Sequence, residues 1–217
     1  MKKQKIEIQS VRKAFKDNQV LKEINMVCES GKIYGIVGYN GCGKTVLFKC
    51  VCGFYKVDQG EIFVNDKRMG KDIDMLTNAG ILIEEPGYIR NLNGYKNLAF
   101  LYGIRNKKNK AKLQNIMKTV GLDPSSRKKV EKYSLGMRQR LAIAQATMED
   151  QDILILDEPM NGLDKEGVQA MRCFFNELKE QGKLIILASH NREDINILCD
   201  EIYEMDQGCL TKIEKIE

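Results

Sequence analysis

Eight consecutive residues constrain this chain more than anything else in it: Gly38-Tyr39-Asn40-Gly41-Cys42-Gly43-Lys44-Thr45. They match GxxxxGK[ST], and they lie between an apolar strand candidate at residues 33–37 and a helix candidate at residues 43–51. The glycines let backbone N–H groups turn inward around phosphate oxygens, and the start of the helix adds partial positive charge. Lys44 then reaches toward the β- and γ-phosphates, and the Thr45 hydroxyl ligates Mg²⁺. The expectation is a nucleoside triphosphate site in a sheet-and-helix fold.

The rest of the chain supplies that sheet. Strand candidates at residues 5–10, 24–28 and 61–64 surround the loop, with another near Ile81. From about Tyr88 to Met148 the periodicity is helical. Alternation then resumes, with strands at 153–156 and 184–188, helices at about 165–180 and 192–199, a strand near 202–205 and a closing hairpin. Apolar strands separated by helices predict a parallel sheet covered on both faces, with the middle helical stretch as an insertion.

Composition narrows the class. Of the 217 residues 43% are hydrophobic and 30% charged, too apolar for a disordered chain. Fully apolar runs stop at four or five residues, and the basic N-terminus is followed by no apolar stretch, so neither a membrane span nor a secretory signal is expected. Seven cysteines with no CxxC pair predict reduced thiols, hence a soluble intracellular protein. A single histidine excludes multi-histidine metal sites. The net charge of +5 is uneven: residues 105–132 carry ten Lys or Arg against Asp123 and Glu131, and the remainder is mildly acidic. A general nucleic-acid binder is not distributed this way, so no nucleic-acid partner is expected.

Ile153-Leu154-Ile155-Leu156-Asp157-Glu158 places two acids at the carboxyl end of an apolar strand, where open α/β sheets bind ligands. Asp157 is positioned to hold Mg²⁺, and Glu158 to orient and polarise the attacking water.

Further motifs fall in register. Ser134-Leu135-Gly136-Met137-Arg138-Gln139-Arg140 lies 23 residues before Asp157, Asn161-Gly162-Leu163-Asp164 follows it, and His190 comes 33 residues after it. Their order resembles the signature motif, D-loop and switch histidine of ABC-transporter ATP-binding subunits, and the resemblance spans nearly the whole chain. It implies a phosphate-loop NTPase core, mostly parallel with an antiparallel β-subdomain, at about residues 1–84 and 150–217. A helical lobe at about 85–149 is inserted, all within one domain. ATP and Mg²⁺ are the implied ligands. The implied partners are a separate transmembrane permease and a second ATP-binding subunit, at the cytoplasmic face of a membrane.

Residue by residue, the resemblance places Phe15 against adenine and Gly38, Asn40, Gly41, Cys42, Gly43, Lys44, Thr45 and Val46 around the phosphates. Ser134 and Gly136 face nucleotide held by the second subunit; a Ser N-cap, the Gly136 N–H and a helix dipole suit an anion. Lys44, Glu158 and His190 are the implied catalytic residues, and Thr45, Asp157 and Glu84 the metal set. Three positions depart from the family pattern: Glu84 stands where Gln is usual, Met137 replaces a Gln, and Cys42 lies inside the phosphate loop. Glu84 and Leu135-Gly136-Met137 resemble the bacitracin- and lantibiotic-resistance branch of peptide-antibiotic exporters. Two other readings remain open: a soluble ABC-type ATPase outside transport, and a phosphate-loop kinase or GTPase of another family. The first needs a second cassette or a long coiled coil, and the second leaves Ser134-Leu135-Gly136 and His190 unexplained.

Overall fold

A computed structural model describes residues 3–215. The chain opens with an antiparallel layer built from β1 (Lys5–Phe15), β2 (Asn18–Glu29), β4 (Gln59–Val64) and β5 (Lys67–Arg68), in the order β2-β1-β4-β5. The sequence pattern stops short on the first two strands, at Ser10 and from Ile24, for a physical reason. Ser10 and Glu23 have φ of 49° and 60°, and the β1–β2 register shifts beside them. Each irregularity resets the inside–outside alternation, so the buried residues run Ile8 then Val11, and Leu21 then Ile24.

A second sheet has the order β10-β9-β3-β8-β7-β6, from β3 (Lys32–Val37), β6 (Ala79–Leu82), β7 (Ile153–Asp157), β8 (Leu184–Ser189), β9 (Glu201–Asp206) and β10 (Cys209–Ile213). Every pairing is parallel except the closing β9–β10 hairpin. Its central strands are buried along both faces, as the unbroken apolar runs require. α1 (Lys44–Val51) follows β3, and α5 (Lys165–Glu180) joins β7 to β8. In α5 Asp164 is the N-cap, accepting from the Gly167 N–H at 3.2 Å, and Met171, Phe174, Phe175 and Leu178 form the buried stripe. α6 (Arg192–Leu198) precedes β9.

Between β6 and β7 come α2 (Gly94–Tyr102), α3 (Lys110–Thr119), a 3₁₀ turn (Val130–Lys132) and α4 (Leu135–Thr147). Leu98, Leu113, Met117 and Leu141 share one apolar cluster with Leu154, Leu187 and Phe175 of the sheet layer. The closest approach is at Gly80 of β6, where a Cβ would lie 1.8 Å from the Ala146 carbonyl oxygen of α4. Gly80→Ala must push α4 off the sheet, so a loss of about 3 kcal/mol in urea unfolding is expected. A change below about 0.5 kcal/mol, the usual surface value, contradicts this packing.

Among the described residues no helix is long and apolar enough to cross a membrane. All seven cysteines are free; Cys28, Cys42, Cys50, Cys52 and Cys199 are buried. Burial pushes the Cys50 and Cys52 thiols up to about 11 and about 12, so they remain protonated apolar filler.

Candidate nucleotide site

Parallel order brings β3, β8 and β7 side by side, so three loops leave the same edge: the glycine-rich loop, Ser189-His190 and Asp157-Glu158. The glycine-rich loop is possible only with glycine at two kinds of position. A Cβ on Gly38 would lie 2.4 Å from the Met205 carbonyl oxygen and 2.7 Å from Cys42 Sγ. Gly43, at the start of α1, has a φ of 119°, which side chains rarely adopt.

The residues after these glycines form one constellation. Lys44 is buried, and its ammonium donates to the carbonyls of Gly38 at 2.6 Å and Tyr39 at 3.2 Å. The Thr45 hydroxyl donates to Asp157 Oδ2 at 2.5 Å. Burial raises the Asp157 carboxyl above the usual carboxylate range; the charges of Glu158 and Glu84 add to this, and Thr45 and Lys44 oppose it.

Glu158 has the strained backbone, with φ 50°. Its N–H donates to the Ala188 carbonyl of β8 at 2.9 Å. His190 Nδ1 lies 2.9 Å from Glu158 Oε2. The other carboxylate oxygen, Oε1, is buried without a hydrogen-bond partner, with the Lys44 ammonium 3.7 Å away. A buried carboxylate oxygen with no donor is costly unless a ligand or water completes it.

One pocket is lined by Asn40, Gly41, Gly43, Lys44, Thr45, Val46, Asp157 and Glu158, together with Val20 of β2. An adjoining cleft adds Glu84, Glu85, Leu135, Arg138 and Gln139 to Asp157 and Glu158. Glu84 is oriented elsewhere: its Oε1 accepts from Lys49 Nζ at 2.6 Å, and its side chain is mostly exposed. Cys42 is buried under the loop.

Phe15, Ser134 and Gly136 do not line that pocket. Phe15, at the end of β1, packs edge to face on Tyr55 with centroids 5.3 Å apart, beneath the Lys13 ammonium, and remains 41% exposed. Ser134 caps α4, accepting from the Met137 N–H at 3.2 Å, and is itself exposed. Gly136 packs on the turn after β7: a Cβ there would lie 2.9 Å from the Gly162 carbonyl oxygen.

Sequence reasoning missed Val20, Lys49 and Gln139. Val20 and Lys49 carry no local signal, because each joins the site only through folding. Gln139 had one: it lies one helical turn and a half after the Ser134 cap, on the side of α4 that meets the segment after β7.

The comparisons agree with this geometry. A family model described as ABC transporter matches residues 21–161. The chain is 37% identical over 211 residues to the ABC transporter ATP-binding protein YybJ of Bacillus subtilis, covering 97% of each. It is also 37% identical over 209 residues to the bacitracin transport ATP-binding protein BcrA of Enterococcus faecalis, covering 95% of this chain and 68% of that one. A dimeric structure of the bacterial ABC transporter cassette MJ0796 shares the fold, with a TM-score of 0.88 at 21% identity over 98% of this chain and 99% of that one. The chain therefore belongs to the ABC transporter family, as an ATP-binding subunit that hydrolyses ATP.

Proposed function

We propose that this subunit drives a separate permease that exports a peptide antibiotic or a similar compound, working as a dimer of ATP-binding subunits at the cytoplasmic face of a membrane. The observation that carries the catalytic half of this reading is the buried Oε1 of Glu158, which accepts no hydrogen bond and is ion-paired with the Lys44 ammonium. The transport half is supported by the 37% identity to a protein named for bacitracin transport.

In this reading the ATP phosphates enter the glycine-rich loop, and Lys44 exchanges the Gly38 and Tyr39 carbonyls for phosphate oxygens. Phe15, exposed at the end of β1, offers its ring face to adenine. Glu158 Oε1 accepts from the attacking water and aligns it, while His190 holds Oε2 and so fixes the carboxylate's rotation. Thr45 Oγ1 and Asp157, already in contact, form the oxygen donor set that Mg²⁺ takes. A metal held there would supply positive charge against the phosphate oxygens. Glu84 reaches that set only by releasing Lys49, which makes the Lys49–Glu84 contact a place where nucleotide state alters the loop leading to α2. Ser134 and Gly136 lie away from this chain's own pocket, which suits contact with nucleotide on a second subunit.

Export is tested by reconstituting the chain with its permease in vesicles and measuring ATP-dependent movement of a bacitracin-like peptide. Transport coupled to hydrolysis is expected; ATP hydrolysis with no peptide movement contradicts the export reading.

The basic stretch bears on the same assembly. Lys107, Lys108 and Lys110 are exposed, Lys112 is half-buried, and Phe100 and Ile104 expose 60% and 69% of their surface beside them. Attraction to an anionic leaflet is worth about 1 kcal/mol per charge near the surface. Reversing the four lysines to Glu is expected to lower association with permease-containing anionic vesicles at least tenfold at low salt. Equal association of both proteins at low and high salt identifies the stretch as a solvated face.

A further inference from the structure

The backbone of Glu158 is restrained at both ends, and one restraint comes from α4. Its N–H is bonded to β8 through Ala188. Its carbonyl accepts from Gln139 Nε2 at 3.0 Å, and the same amide donates to the Pro159 carbonyl at 2.9 Å. Both oxygens lie directly after the φ rotation of Glu158, whose value of 50° is costly for a residue with a side chain. One side-chain amide with two hydrogens thus spans the strained turn, which matches the donor inventory of glutamine.

Gln139 is itself held in register. On the next residue, Arg140 Nη1 donates to the Val120 carbonyl at 2.8 Å and Nη2 to Asp164 Oδ1 at 3.1 Å. Glycines at 121 and 167 leave room for that guanidinium, since a Cβ on either would lie within 2.4 Å of it. On the preceding turn, Leu135 and Gly136 press on Gly162. The helix is therefore pinned to the segment 158–164 on both sides of Gln139.

We propose that Gln139 is a positioning residue for hydrolysis: its amide holds the left-handed backbone of Glu158 and so fixes where the carboxylate meets the attacking water. This rests on the reading of Glu158 as the water-aligning group. Glu158 is displaced by small angles when the amide is lost, and misplacement near 1 Å costs orders of magnitude in rate. Nucleotide binding, which Lys44 and the glycine-rich loop provide, is untouched.

The test is steady-state hydrolysis by the full chain carrying Gln139→Met, of similar length but without a donor, and Gln139→Lys, which restores one. Gln139→Met is expected to lower kcat at least tenfold with KM for ATP within twofold, and Gln139→Lys to recover most of that loss. Wild-type kcat in Gln139→Met, a loss carried by KM, or a loss that Gln139→Lys does not recover overturns the proposal. Glu158→Gln in the same assay separates the two levels. If Glu158→Gln turns over normally, the underlying reading fails; if it is inactive while Gln139→Met is normal, only the role of Gln139 fails.

Discussion

Replacing Glu158 by Gln is expected to reduce ATP hydrolysis about a thousandfold while leaving ATP affinity within a few-fold of the wild-type value. The size follows from removing a positioned general base, a change typically worth 10²–10⁴ in rate. The sparing of affinity follows from geometry. Glu158 Oε1 accepts no hydrogen bond and meets Lys44 only as an ion pair at 3.7 Å, so removing its charge costs that pair alone. Lys44 keeps its contacts to the Gly38 and Tyr39 carbonyls. Glutamine is nearly isosteric and still accepts from His190 Nδ1 when that nitrogen is protonated. Phosphate release measured beside binding of a fluorescent ATP analogue checks both halves. A fall in affinity that matches the fall in rate would mean that Glu158 holds nucleotide rather than aligning water.

Lys44→Ala gives the second large effect, with the opposite division. The ammonium is buried and held by two loop carbonyls, a pre-oriented cation at the mouth of the glycine-rich loop. Charge-assisted hydrogen bonds to phosphate contribute roughly 1.5–3 kcal/mol each. Their loss weakens ATP binding about 10- to 100-fold, on the scale of 1.4 kcal/mol per decade. Hydrolysis falls further, because charge grows on the phosphoryl oxygens in the transition state. Some loss of thermal stability accompanies the substitution, since Glu158 Oε1 and two loop carbonyls lose their cation, although the lysine's own desolvation cost is also removed. Equilibrium binding and thermal unfolding of the variant check this. Unchanged ATP affinity contradicts the placement of phosphates at this loop.

Much of this site was legible because its parts are local. Gly38 to Thr45 sits in one turn, Asp157-Glu158 ends one strand, and His190 follows another; the parallel order β3-β8-β7 then brings the three ends together. The sheet was readable for the same reason, since residues 153–156 and 184–188 are unbroken apolar runs. What escaped reading depends on contacts between distant segments. The extra length of β1 and β2 hides behind the irregularities at Ser10 and Glu23, which break the alternation that reveals strands. The Lys49–Glu84 pair joins a helix to a loop 35 residues away, with nothing in either segment naming the other. The two-carbonyl grip of Gln139 joins α4 to a segment 19 and 20 residues on, and the lone Gly80 in β6 does not say that α4 approaches it.

The exposed cap Ser134, which does not line the pocket of its own chain, leads to the claim that ATP is held between two subunits. Light scattering of the Glu158→Gln protein tests it most directly, because ATP that binds without being hydrolysed should keep the two subunits together. The expected result is a mass of twice the 24.8 kDa of one chain with ATP and Mg²⁺, returning to one chain when ATP is removed or Lys44 is also replaced by Ala. A protein that stays at the mass of one chain while its sites are saturated with ATP contradicts the shared site.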